Sequence, residues 1–324
     1  MAESLEIPGT MTLWKLTRMA AVAALVLNAA PAFAQAPPVA SFKSGIDLVR
    51  ITAVVRDQKG RLVQDLEVRD FEVLEGGVPR TIKDFRSDLA SVSVGLLFDV
   101  SGSMESRLTD ARETAVHVLS WLKDGLDEAA VFTFDTQLVE IAPFTVGLKA
   151  LPAAMESVRP FGQTSLRDAI AQAAERLGQR EGRRRALVVL TDGRDTSSRM
   201  TAAQVTTIAS AIDVPVYIIG IVPSIDNPAA DAATPSADKP WQAGSLDALA
   251  TQTGGQVFKA STPGQRSLAA RQIVDELRHQ YLIAFESSGN PGWHPLLVRT
   301  TRDKALTVRA RAGYTVGQSR PHSF

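Results

Sequence analysis

The sequence predicts an α/β fold: a doubly wound, mostly parallel sheet with helices on both faces, flanked at each end by antiparallel β segments expected to form one β unit. Three observations lead there. Residues 91–222 alternate short strands that are apolar on both faces with amphipathic helical stretches, the pattern of a parallel sheet covered on both sides. Residues before 90 and after 280 carry period-two alternation broken by Gly, Pro, Asn and Asp turns. The composition, 45% hydrophobic and 22% charged over 324 residues, suits a globular chain with more than one compact part.

At the N terminus, Lys15 and Arg18 precede the apolar run "MAAVAALVLNAA" (19–30), and Ala32-Phe33-Ala34 offers small residues where a signal peptidase cuts. Residues 1–34 therefore read as a secretory signal peptide, with Gln35 as the mature start. The polar residues ahead of Met11 leave Met1 and Met11 as alternative starts. The apolar run is shorter than the roughly 18 residues a membrane span requires. The expectation is an exported protein, periplasmic or secreted, with no membrane span after cleavage.

Residues 41–88 form an N-terminal β segment: "IDLVRITAVVRD", "DFEVLEGG" and "VPRTIKDF" give three strands separated by turns. Three strands cannot bury a core alone. Residues 90–280 carry the α/β pattern. Strand 92–98 precedes a helix near 107–122 with Leu108, Ala111, Ala115, Val118, Leu119 and Leu122 on one face. Strand 129–135, a helix over 165–177, strand 186–191, a helix over 201–211 and strand 214–222 follow. Residues 223–244 lack periodicity and form a long loop that leaves from the carboxyl end of its strand, bearing Asp226, Asp231 and Asp238. That loop either frames a partner surface or places a carboxylate in the site described next. Helices near 245–253 and 266–279 flank a short strand, and residues 281–316 form a C-terminal β segment of three strands, with Trp293 and His294 in a loop.

Several function classes are excluded. Thirty-five basic and 35 acidic side chains balance, so no general attraction to nucleic acid is expected. The run Arg183-Arg184-Arg185 reads as a solvated strand entrance. Without cysteine there is no disulfide, thiolate ligand or cysteine nucleophile. Neither a dinucleotide-binding glycine fingerprint nor a phosphate loop follows the first strand of the sheet. His117, His279, His294 and His322 all fall away from the strand ends, which speaks against a Ser-His-Asp triad.

The chemistry gathers at one edge. In an open parallel sheet, ligands bind outside the carboxyl ends of the strands. There the strand "VSVGLLFD" stops on Asp99, and Ser101 and Ser103 follow at alternate positions; Asp192 ends another strand in "VVLTDGRD"; Thr164 precedes a helix in "FGQTSLRDA". An extended segment points residues i, i+2 and i+4 the same way, so Asp99, Ser101 and Ser103 converge. Gly102 and Gly193 allow the backbone close approach. Two carboxylates and three hydroxyls are hard oxygen donors suited to Mg²⁺, with Mn²⁺ or Ca²⁺ as alternatives. Any one of these loops alone would read as an ordinary turn or helix cap.

The pattern Asp99-x-Ser101-x-Ser103, then Thr164, then Asp192 resembles the von Willebrand factor type A domain with its metal-ion-dependent adhesion site, over roughly residues 90–280. The flanks resemble a bacterial secreted group called VWFA-related proteins. The resemblance implies that the two serines bind Mg²⁺ directly, Thr164 directly or through water, and the two aspartates largely through water. It further implies that an Asp or Glu carboxylate from a protein partner fills the open coordination position, so the protein is a non-enzymatic adhesion module. Two alternatives stay open: a scaffold with a purely structural metal, and a metal-assisted hydrolase whose base is not found in the sequence.

Overall fold

The computed structural model describes residues 48–211, 213–222, 243–303 and 305–316. The leader-like segment 1–34, most of the loop 223–244 with its three aspartates, and His322 lie outside the described residues.

The centre is a six-stranded sheet in the order β10-β9-β8-β5-β6-β7. Its strands are β5 (Val92–Asp99), β6 (Glu128–Phe134), β7 (Leu138–Val146), β8 (Arg184–Thr191), β9 (Val216–Ile221) and β10 (Val257–Ala260). All pairings are parallel except the edge hairpin β6–β7. The helices are α1 (Leu108–Trp121), α2 (Ala154–Ser157), α3 (Leu166–Gly178), α4 (Ala202–Ala211), α5 (Ala243–Gln252) and α6 (Pro263–Arg278). Every side chain of β5, β6 and β9 is buried, which is why these strands show no polar alternation. Leu96 and Phe98 of β5 pack in one core with α1 and α6, whereas Leu97 packs in the other with α3, α4 and α5. The expected apolar face of α1 is buried throughout, from Leu108 to Leu122 just beyond its end.

The flanking segments do combine. β1 (Leu48–Arg56) pairs antiparallel with β11 (Tyr281–Glu286), and β2 (Phe71–Glu75) pairs with β12 (Gly292–Thr300). Two four-stranded sheets result, β13-β1-β11-β4 and β14-β12-β2-β3, with β3 (Val78–Arg80), β4 (Ile82–Arg86), β13 (Thr307–Ala310) and β14 (Gly313–Val316). Ile51, Val73, Tyr281, Phe285 and Val298 share one core between them. Each segment shows four strands rather than three. "VPRTIKDF" breaks at Thr81 and "ALTVRARAGY" at Arg311, because the chain crosses from one sheet to the other at both points. Pro79, which has no amide hydrogen to donate, sits on the edge strand β3. Trp293 and His294 lie in β12 rather than in a loop; His294 stacks on Tyr314, with ring centroids 5.1 Å apart.

A buried ion network fastens the sandwich to the central sheet. The fully buried carboxylate of Glu276 in α6 accepts hydrogen bonds from Arg56 of β1 (2.5 Å), from the Tyr217 hydroxyl of β9 (2.9 Å) and from Arg309 of β13.

Candidate metal centre

The carboxyl ends of β5 and β8 lie side by side, since Phe98 pairs with Leu190. Asp99 is fully buried there and accepts three hydrogen bonds. The Ser101 hydroxyl donates to its Oδ1 at 2.6 Å and the Ser101 amide to the same oxygen at 3.0 Å. The Thr191 hydroxyl donates to its Oδ2 at 2.6 Å, while accepting from the Gly193 amide at 3.0 Å. Burial pushes the Asp99 carboxyl up to about 6; the donors from Ser101 and Thr191 work against this, and the negative charge of Asp192 adds to it.

Ser101 is extended, as its alternation with Asp99 requires. Ser103 is not: it lies in a single 3₁₀ turn, Gly102–Met104. The turn still brings the Ser103 hydroxyl to 3.3 Å from that of Ser101, so the convergence comes from the end of the strand plus a turn, not from extension alone. Thr164 is held nearby by backbone. The Gly102 amide donates to the Gly162 carbonyl at 3.1 Å and the Phe161 amide to the Val100 carbonyl at 2.9 Å, tying the loop before Thr164 to the Asp99 loop. The Thr164 carbonyl in turn accepts from the amides of Thr196 and Ser197, beyond Asp192. Gly193 has φ +83°, the left-handed conformation that the turn after Asp192 needs.

Asp192 is 6% exposed. Its Oδ2 accepts from Arg107 Nη1 at 3.1 Å, and the same nitrogen donates to the Ser103 carbonyl at 2.8 Å. Sequence reading passed over both Arg107 and Thr191. Arg107 stands one helical turn after Ser103, a spacing that could have flagged it. Thr191 gains meaning only from the pairing of β8 with β5. Two further aspartates near the site support loops. Asp195 accepts from the Arg167 and Ser198 amides, and Asp135 from the Gln137 amide.

The donors suit a hard divalent cation. All are oxygens, two hydroxyls face one another, and two carboxylates stand in each other's field. Among the described residues no three His, Asp or Glu side chains gather to hold a metal ion, here or elsewhere, so the hydroxyls would have to complete any ligand set at this edge. His117 lies in α1, His279 caps α6 and His294 lies in β12, so none of the described imidazoles neighbours Ser101 or Ser103.

A doubly wound domain with its polar loops at the carboxyl edge is the class defined by this geometry. Residues 94–194 match the family model of the von Willebrand factor type A domain, and the chain contains such a domain. Among solved structures it is similar to the conserved hypothetical protein BatB from Bacteroides thetaiotaomicron (18% identity, 57% of this chain and 98% of that chain, TM-score 0.45). It is also similar to a von Willebrand factor type A protein from Catenulispora acidiphila (14% identity, 85% and 76% covered, TM-score 0.46). A third likeness is to proximal thread matrix protein 1 from the mussel byssus with a zinc-occupied MIDAS motif (16% identity, 63% and 49% covered, TM-score 0.45). No curated protein matches the chain. Domains of this type commonly mediate protein interaction. No helix among the described residues is long and apolar enough to cross a membrane.

Proposed function

We propose that this is an exported interaction module that captures a carboxylate-bearing protein partner through a Mg²⁺-type ion held by Ser101, Ser103 and Thr164, with Asp99 and Asp192 supporting. The observation that carries the reading is the pair of hydroxyls 3.3 Å apart, one of them fixed by a fully buried aspartate, at the sheet edge where Asp192 also ends its strand. Hydroxyl ligands leave a divalent ion with little charge neutralisation, so when bound it attracts an acidic side chain from outside. Asp99 orients the Ser101 hydroxyl with its oxygen lone pairs outward. Asp192 supplies charge behind the site, part of which is taken up by its ion pair with Arg107.

Phe161 gives the partner surface an apolar component. Its side chain is 79% exposed although its backbone is bonded to the Asp99 loop, so the ring is presented rather than packed away. A ligand with an acidic residue next to an apolar one fits this arrangement. Export rests on the leader-like residues 1–34, and mass spectrometry of the exported protein should find its N terminus at Gln35.

Calorimetric titration with Mg²⁺ and Mn²⁺ tests the site. Saturable binding is expected in the full chain, weakened about 100-fold or lost in Asp99→Ala and Asp192→Ala while circular dichroism shows an intact fold. Unchanged affinity in both variants would sink the assignment.

A further inference from the structure

A cleft of about 760 Å³ opens at the opposite, amino end of the six-stranded sheet, between β1, β11, β14 and the start of β8. Six arginines line it, Arg50, Arg86, Arg183, Arg184, Arg185 and Arg311, against three carboxylate residues. Most have partners. Arg86 pairs with Asp84, Arg183 donates to the Leu126 carbonyl and Arg185 to the Gly178 carbonyl.

Arg184 and Arg311 differ. Each is 6% exposed, and the Nε of each is buried with no hydrogen-bond partner among the described residues. Among the described residues Arg184 makes one long hydrogen bond, 3.4 Å to the Gln280 carbonyl, and no close ion pair, although the Asp88 and Asp213 carboxylates lie within its field. Arg311 donates to the backbone carbonyls of Ser210 and Arg50, and the Asp213 carboxylate stands 3.7 Å from its Nε. A guanidinium withdrawn from water keeps its charge at a high cost unless a counter-charge meets it. Asp88 and Asp213 at Arg184, and Asp213 at Arg311, offset this only in part: burial still holds both groups below the usual arginine range.

We propose that this cleft is a second binding site, specific for a multiply charged oxyanion, phosphate or carboxylate, received by the planar guanidiniums of Arg184 and Arg311. Arg184, whose guanidinium makes only the long bond to Gln280, can turn its fork of donors to two oxygens at once, and Arg311, whose Nη atoms are already engaged with carbonyls, adds its charge beside it. Arg50, exposed at the rim, adds attraction without contributing to the core.

The test is calorimetry on the full chain with inorganic phosphate, pyrophosphate and citrate, carried out with chelator present so that the metal site is silent. Saturable binding of at least one is expected, and the comparison of phosphates with citrate identifies the preferred oxyanion. Arg184→Gln should weaken it at least 10-fold while leaving the melting temperature of the ligand-free protein unchanged or higher, because a buried charge has been removed. Arg50→Gln, at an exposed position that cannot threaten folding, should weaken it about 3-fold and steepen no other property. Absence of saturable binding in the wild type would overturn the proposal. So would equal affinity in Arg50→Gln and a folded Arg184→Gln, or a melting temperature that falls in Arg184→Gln with no change in anion affinity, the mark of a purely structural arginine.

Discussion

The two ends of the central sheet differ in what the strands present. At the carboxyl ends of β5 and β8 stand Asp99, Ser101 and Thr191, whose oxygens already bond one another, with Asp192 next to Thr191 in the chain. At the amino end stand arginines, of which Arg184 at the start of β8 and Arg311 between β13 and β14 are buried, each with an Nε that makes no hydrogen bond among the described residues. The carboxyl edge is assembled from loops that the strands themselves deliver, so its groups sit within a few residues of a strand end. The amino edge is closed by the β-sandwich, whose β1, β11 and β14 come from both extremes of the described chain. The proposed metal site is local to the α/β layers; the arginine cleft is formed only because the flanks fold back together.

The largest effect expected on this contrast comes from Glu276. Glu276→Ala leaves Arg56, Arg309 and the Tyr217 hydroxyl without their common acceptor. Breaking a buried network of this kind costs about 3–5 kcal/mol. Chemical denaturation should show that loss, and anion affinity at the arginine cleft should fall with it, while Mg²⁺ affinity of the remaining folded protein stays the same. Equal damage at both ends would show that the sandwich supports the whole sheet.

A smaller and opposite effect is expected at the carboxyl edge. Arg107 places a positive charge on Asp192, and a divalent ion bound as proposed would share that carboxylate with it. With the guanidinium side chain 22% exposed, the interaction is worth about 1 kcal/mol. Arg107→Gln should therefore raise Mg²⁺ affinity about 5-fold by calorimetry. A drop would mean that Arg107 holds Asp192 in place rather than competing for it.

The smallest effect separates metal from partner. Phe161→Ala should leave Mg²⁺ affinity within error, since the backbone bonds to Val100 and Gly102 do not involve its ring. Metal-dependent capture from exported proteins should nonetheless weaken. A changed metal affinity would make Phe161 part of the site's scaffold.

Asp99 was legible because it closes an apolar strand at the same expected edge to which two further loops bring matching oxygen donors. The amphipathic faces of α1 and α3 were legible because a helix buries one stripe wherever it packs. Thr191 and Arg107 were not, because each acquires its role from a neighbour 92 or 85 residues away. The arginine run at 183–185 misled for the same reason. It reads as a solvated strand entrance, yet Arg184 is 6% exposed, covered by a wall that begins with Gln280, 96 residues on.

By itself, the sequence determined the layers, the helix faces and the strand ends at which Asp99 and Asp192 fall, since periodicity and strand ends are properties of short segments. Tertiary structure decided which strand of each β segment joins which sheet, that Ser103 arrives by a turn rather than by extension, and that Arg184 is enclosed. Those outcomes depend on pairing register and on burial, and burial is set by whatever distant chain happens to pack on top.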